Sequence, residues 1–297
     1  MRAWKKLPLD ETPELPADQW VPRVSRRRFV GLSVVAGFAM AVQPVCAQTM
    51  IVTDTAGLNA GPVLIPAGDR EIPGYYAKPA GGGARAIVLV VEEIFGVHEH
   101  IKDMCRRLAK QGYLAVAPEL YSRLGDVSKI EDIQELLKVV NQAPDAVTVS
   151  DLDATATWAA EHGGDSKRLG ITGWCRGGRT AWLYAAKNHM GLKAAVAWYG
   201  QLSGQRTEAM PHTMLDLVDE LKAPVLGLYG GQDAGIPVAQ VEAMKAAMKE
   251  KGKVGEFVVY PEAPHAFNAD YRPSYREKEA KDGMQRLLAW FKKYGVA

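Results

Sequence analysis

Short, almost continuously apolar runs recur along the chain, and the segments between them repeat apolar residues every three or four positions. The runs Ala86 to Val91, Leu114 to Ala117, Leu169 to Thr172, Ala194 to Trp198, Pro224 to Tyr229 and Glu256 to Tyr260 read as strands buried on both faces. A sheet-like stretch from Ile72 to Lys78 precedes them, and Gly81-Gly82-Gly83 supplies the turn that follows it. Helical period marks Ile101 to Gln111, Ile130 to Asn141, Val149 to Glu161, Gly178 to Lys187, Val238 to Lys251 and Arg276 to Tyr294. In the last of these, Met284, Leu287, Leu288, Trp290 and Phe291 line one face, as in a helix packed on a sheet. Alternation of this kind predicts an α/β fold, a mostly parallel sheet with helices on both faces, because helical crossovers join parallel neighbours. Ligands in such sheets bind beyond the C-terminal strand ends, so the residues just after each run are where chemistry is expected.

Composition narrows the function. The 297 residues carry 36 Lys plus Arg against 34 Asp plus Glu, and 47% are apolar, so a well-packed soluble domain is expected. The small positive excess sits in the segment before Gln48, which holds Arg2, Lys5, Lys6, Arg23, Arg26, Arg27 and Arg28 against Asp10, Glu11, Glu14 and Asp18. A near-neutral remainder excludes nucleic-acid binding driven by phosphate charge. Three cysteines, Cys46 among them, cannot form a disulfide framework. Ser25-Arg26-Arg27-Arg28-Phe29-Val30 followed by the uncharged Gly31 to Val42 and by Val45-Cys46-Ala47 resembles a twin-arginine signal peptide. Residues 1–47 are therefore expected to be a leader handled by the twin-arginine export machinery. Residues 48–297 are expected to form one periplasmic or secreted domain with no stable membrane insertion after processing.

The sharpest local signal is Gly173-Trp174-Cys175-Arg176-Gly177-Gly178, between a predicted strand and a predicted helix. This is a nucleophile elbow with cysteine as nucleophile: a tight turn holds the sulfur above the sheet, and glycines two residues to either side avoid clashes. The helix N-terminus that follows favours a thiolate and an oxyanion. Asp233 follows one later strand and His265 the next, which is the order of nucleophile, acid and base in α/β-hydrolase triads. Glu92 and Glu93 end the first strong strand; neighbouring strand residues face opposite ways, so the two are not a paired acid/base site, and one of them is expected to reach the crevice. The backbone N–H after it, at Ile94, would be the second oxyanion donor beside that of Arg176.

Glu93-Ile94-Phe95-Gly96-Val97, Ala117-Pro118-Glu119-Leu120-Tyr121, the Cys175 elbow, Trp198-Tyr199-Gly200, Gln232-Asp233 and Pro264-His265-Ala266-Phe267 together resemble the dienelactone hydrolase family from about Ile51 onwards. The resemblance implies an α/β-hydrolase fold and hydrolysis of a small carboxylic ester or lactone with no cofactor and no metal. It implies a cysteine nucleophile at Cys175, with acid Asp233 and base His265. Glu93 would contact the thiol and help deprotonate it when substrate arrives.

The chain departs from that pattern in places. Ile130 to Asp151 holds Lys138 but no arginine to bind a substrate carboxylate, and Ala266 stands where serine is usual. Arg272, ahead of Arg276, is the expected replacement, so the physiological ester is left unassigned. Trp174, Trp198 and Tyr199 stand at strand ends, where aromatic residues line the pocket mouth or belong to the core; Trp174 and Tyr199 are the expected substrate contacts. His98 and His100 are expected as solvated first-turn residues rather than metal ligands, and Cys105 as a semi-buried thiol. A second reading, a non-catalytic or redox-sensing protein of the same fold, would need neither Asp233 nor His265.

Overall fold

The computed structural model describes residues 49–297; the leader, with its paired arginines and cleavage positions, lies outside the described residues. The sheet has eight strands in the order β1-β2-β4-β3-β5-β6-β7-β8. These are β1 (Leu58–Pro66), β2 (Glu71–Pro79), β3 (Arg85–Val91), β4 (Leu114–Pro118), β5 (Gly164–Trp174), β6 (Ala194–Trp198), β7 (Val225–Gly230) and β8 (Gly255–Tyr260). The six strands from β4 across to β8 pair in parallel, whereas β2 joins β4, and β1 joins β2, antiparallel. The helices are α1 (Glu99–Lys110), α2 (Ile133–Val140), α3 (Asp145–Glu161), α4 (Arg176–Lys187), α5 (Val238–Glu250) and α6 (Glu277–Lys293).

The chain steps from β3 outward to β4, then returns across β3 to β5 and continues to β8. Right-handed crossovers taken in opposite directions put their helices on opposite faces, α1 on one and α3, α4 and α5 on the other. α6 covers part of the sheet where Gly170 and Gly283 leave room: a Cβ on Gly170 would meet Val296 and Phe291, and one on Gly283 would meet Trp198. The strand order reverses between β3 and β5, so the loops after these two strands open the crevice that α/β sheets use for ligands. Glu93 follows β3 and Cys175 follows β5.

The central strands are apolar throughout because both faces are covered; Ile87 to Val91 and Ala194 to Trp198 are essentially unexposed. The edges differ. β8 is half exposed over most of its length, and β1, absent from the expected elements, carries Gly61 and Pro62 and alternates buried with exposed positions. A proline at an edge strand costs no ladder bond if its nitrogen faces outward, so composition alone disguised this strand. α2 begins three residues later than its periodicity suggests because the Asp132 side chain caps it, accepting the Glu135 N–H at 2.8 Å.

The first turn of α4 lies against backbone on two sides. A Cβ on Gly177 would fall 2.4 Å from the Val91 carbonyl oxygen, and one on Gly178 would fall 2.4 Å from that of Trp198. Gly173 and Gly200 complete the contact, with added Cβ atoms 2.2 Å from Gly177 O and 2.3 Å from Gly178 C. Backbone cannot step aside as a flexible side chain can, so Gly178→Ala is expected to cost about 3 kcal/mol of unfolding free energy. Urea denaturation checks this, and a cost within 0.5 kcal/mol, the ordinary range for a surface change, would show that the helix has room to shift.

Candidate active site

Cys175 caps the N-terminus of α4 with φ 55 and ψ −113, a backbone that L-residues rarely adopt. Its N–H donates to the Trp198 carbonyl at 3.0 Å, tying the turn to the end of β6. Among the described residues, the non-glycine positions with positive φ are Cys175, Tyr199 and Ala266. Each follows a strand end and borders the same crevice, and such strain persists only where the surroundings enforce it. Here the close-packed glycine contacts do so.

Asp233 and His265 meet on the loops after β7 and β8. Asp233 Oδ1 accepts the N–H groups of Gly235 at 2.9 Å and Ile236 at 3.1 Å, while Oδ2 lies 2.6 Å from His265 Nδ1. Burial raises the cost of the Asp233 charge, but the hydrogen bonds to His265 and to these backbone groups outweigh it and hold its pKa below the ordinary value. Burial likewise opposes the imidazolium of His265, yet the hydrogen bonds to Asp233 and to Cys175 prevail, and its pKa rises to about 10. With Nδ1 committed to Asp233, Nε2 is the nitrogen left to face Cys175, which lies near enough to help raise the ring's pKa.

Glu92 and Glu93 diverge, as adjacent residues at a strand end should. Glu92 turns to the β4 side and accepts the Leu120 N–H at 2.8 Å, and burial, with Glu119 beside it, pushes its pKa well up. Glu93 is also buried but takes hydrogen bonds from the Tyr271 hydroxyl at 2.5 Å and from His98 Nε2 at 3.3 Å. Burial opposes its charge; the His98 bond and the nearby charge of Arg272 overcome that and bring its pKa to about 2. Arg272 is half-buried, its guanidinium 5.1 Å over the Phe95 ring and 5.7 Å over that of Tyr271. Arg276 instead donates to its own neighbours, the carbonyls of Pro273 and Tyr275. Ile94 and Arg176, the residues whose N–H groups were expected to hold an oxyanion, are half-buried on either side of the crevice. The Arg176 side chain, which the sequence did not single out, reaches Asn141 Oδ1 at 3.0 Å in the segment lacking an arginine of its own.

Several expectations are corrected. Trp174 and Trp198 are fully buried and stacked with centroids 6.1 Å apart, part of the core under the site rather than its mouth. The Tyr199 ring is equally buried and packs edge-on against His265 at 5.0 Å, so it braces the histidine. His98 and His100 are not solvated: they are 6% and 5% exposed, because the segment after β8 folds over the start of α1 and sets Tyr271 against both rings. Cys105 is completely buried and its thiol pKa pushed far up by that burial. A cavity of about 320 Å³ lies elsewhere, between Ile51 and Thr53 on one side and Met284 and Leu288 of α6 on the other.

Known proteins share this arrangement of chain. The sequence model of the Dienelactone hydrolase family matches residues 72–295. A candidate carboxymethylenebutenolidase of Methylorubrum extorquens is 58% identical over 92% of this chain and 94% of its own. Its counterpart in Escherichia coli K12 is 52% identical over 88% and 96%. The crystal structure of a candidate dienelactone hydrolase from Klebsiella pneumoniae aligns with TM-score 0.78 and 56% identity, covering 80% of this chain and 99% of that one.

A raised histidine pKa stabilises the folded chain below the ordinary value of 6.5, and the benefit is lost as pH climbs through about 10. The His265 ring is therefore expected to titrate near 10 by NMR, and Asp233→Asn to return it towards 6.5. An unchanged titration in the variant would mean that Asp233 does not govern the ring.

Proposed function

The chain belongs to the dienelactone hydrolase family, and from that premise we propose that it hydrolyses a small carboxylic ester or lactone through a thioester on Cys175. The observation that carries this reading is the strained elbow at Cys175, at φ 55 on the N-terminus of α4, beside a His265 ring bound to Asp233 at 2.6 Å.

Protonation of His265 sets the first step. The carboxylate of Asp233 favours the protonated ring, which suits His265 to hold a thiolate once that thiolate has formed. Glu93, ionised at the end of β3, is the candidate base: the Cys175 proton passes to its carboxylate, leaving a thiolate paired with the imidazolium. The thiolate then attacks the carbonyl carbon, and the C=O electron pair moves to the oxygen, held by the N–H groups of Ile94 and Arg176. The tetrahedral species collapses to a thioester as the leaving oxygen takes the proton of His265. Water, losing its proton to the now neutral ring, attacks the thioester and releases the acid and the thiolate, which takes its proton back from Glu93 to restore the starting state. For an anionic substrate group we choose Arg272, supported by its half-buried place beside the Phe95 and Tyr271 rings. The arginine-rich leader further supports the proposal that this hydrolysis takes place after twin-arginine export, in the periplasm or beyond.

Turnover of p-nitrophenyl acetate and of cis- and trans-dienelactone tests the reading. At least one of these is expected to be hydrolysed, with the rate falling about a thousandfold or more in Cys175→Ala and in His265→Ala. Glu93→Gln is expected to slow lactone turnover while the fold survives. Full activity in Cys175→Ala would overturn the mechanism.

A further inference from the structure

Two carboxyl groups at neighbouring strand ends reach across to each other's loops. Glu92, just after β3, accepts the Leu120 N–H at 2.8 Å, and Glu119, just after β4, accepts the Val97 N–H at 2.8 Å. Each side chain therefore binds backbone of the loop that follows the other strand. Glu92 is fully buried, and its second oxygen, Oε2, meets no hydrogen-bond partner among the described residues. The second oxygen of Glu119 lies against Gly96, where an added Cβ would fall 2.9 Å away on a backbone at φ 76. Glycine is what lets the loop turn and pass so close.

The surroundings disfavour two negative charges here. Burial, and after it the facing Glu119, push the pKa of Glu92 well up. Burial raises Glu119 as well, to about 7; the Val97 N–H and Lys102 of α1 oppose that rise and Asp126 adds to it. On its other side Glu92 faces the Tyr121 phenol, kept neutral by its own burial, with Arg176 and Cys175 beyond. A buried carboxyl oxygen without a donor, beside a second carboxyl, is a place for a proton: one O–H there satisfies the oxygen and removes one charge. The pair also touches the catalytic turn through backbone, since a Cβ on Gly177 would stand 2.5 Å from the Glu92 carbonyl oxygen. What the two side chains grip is the loop of residues 93–97, which carries Ile94.

We propose that Glu92 and Glu119 are positioning residues that form a crossed clasp closed by a proton held between them, and that loss of this proton loosens the loop carrying Ile94. The inference rests on the proposed place of the Ile94 N–H as an oxyanion donor. On opening, one O–H bond of the carboxyl pair breaks and its proton goes to solvent; no other covalent bond changes. Carboxyl groups whose pKa is raised by folding bind more protons folded than unfolded, so the clasp favours the folded chain at low pH. That benefit is lost as pH climbs from the ordinary value of 4.5 through about 7.

Hydrogen exchange at the Val97 and Leu120 amides of the full chain, followed by NMR from about pH 6 to about pH 8.5 and corrected for intrinsic rates, tests the clasp. Protection of both amides is expected to fall about tenfold across this range, the factor that corresponds to one unit of displaced pKa. Glu92→Gln keeps an oxygen for the Leu120 N–H and offers a permanent N–H in place of the proton, so protection is expected to stay level; Glu119→Gln is expected to do the same. Glu92→Leu, which removes the acceptor, is expected to expose the Leu120 amide at every pH. For lactone turnover, kcat is expected to decline over the same range in the unaltered chain and to stay level in Glu92→Gln, with KM unchanged in both. Protection that does not fall, or that falls equally in the unaltered chain and in both glutamine variants, would overturn the clasp. Failure of the underlying reading of Ile94 has a different signature: protection would respond as expected while kcat kept one pH profile in the unaltered chain and in Glu92→Gln.

Discussion

Backbone packed on backbone at the start of α4 is the constraint on which the site depends. Gly173, Gly177, Gly178 and Gly200 bring the turn after β5, the end of β3 and the end of β6 within distances that leave no room for a Cβ. With that contact made, the backbone of Cys175 is held at φ 55, and the residue follows β5 at the switch point of the sheet. Strain at this residue is sustained by the surrounding fold rather than by its own preferences.

Around this fixed sulfur the loops carry charges whose states oppose one another. Asp233 and Glu93 are both held ionised by hydrogen bonds that outweigh burial, but for different ends. Asp233 keeps a proton on His265 and keeps the ring oriented. Glu93 is stabilised by hydrogen bonds from Tyr271 and His98. Glu92, one residue away, accepts backbone N–H groups that do not outweigh burial and the nearby Glu119, and its charge is disfavoured. Two adjacent carboxylates thus take opposite protonation tendencies, since each strand-end residue faces its own environment.

Much of this was legible in the residues. The apolar runs located β3 to β8 because central parallel strands are apolar on both faces, and the glycine spacing marked the elbow because only glycine permits that approach. Asp233 and His265 were recognisable from their places after successive strands, and the structure joins them at 2.6 Å. What stayed hidden depended on long-range contact. His98 and His100 sit at the start of a helix, where a first turn is ordinarily wet, and only the fold of the segment after β8 buries them against Tyr271. Trp174 follows the same rule: a strand-end aromatic serves the mouth or the core according to what stacks on it, and here Trp198 does. Nothing in local periodicity joins Tyr271 to Glu93, residues brought together from opposite ends of the domain.

The central claim is that Cys175 carries the acyl group during turnover. Acid-quenching the enzyme in steady state with an ester substrate, then mapping the adduct by peptide mass spectrometry, addresses it directly. The account predicts one acyl mass on the peptide bearing Cys175, discharged by hydroxylamine as a thioester is. Continued turnover with that peptide unmodified and the acyl group on another residue would contradict it.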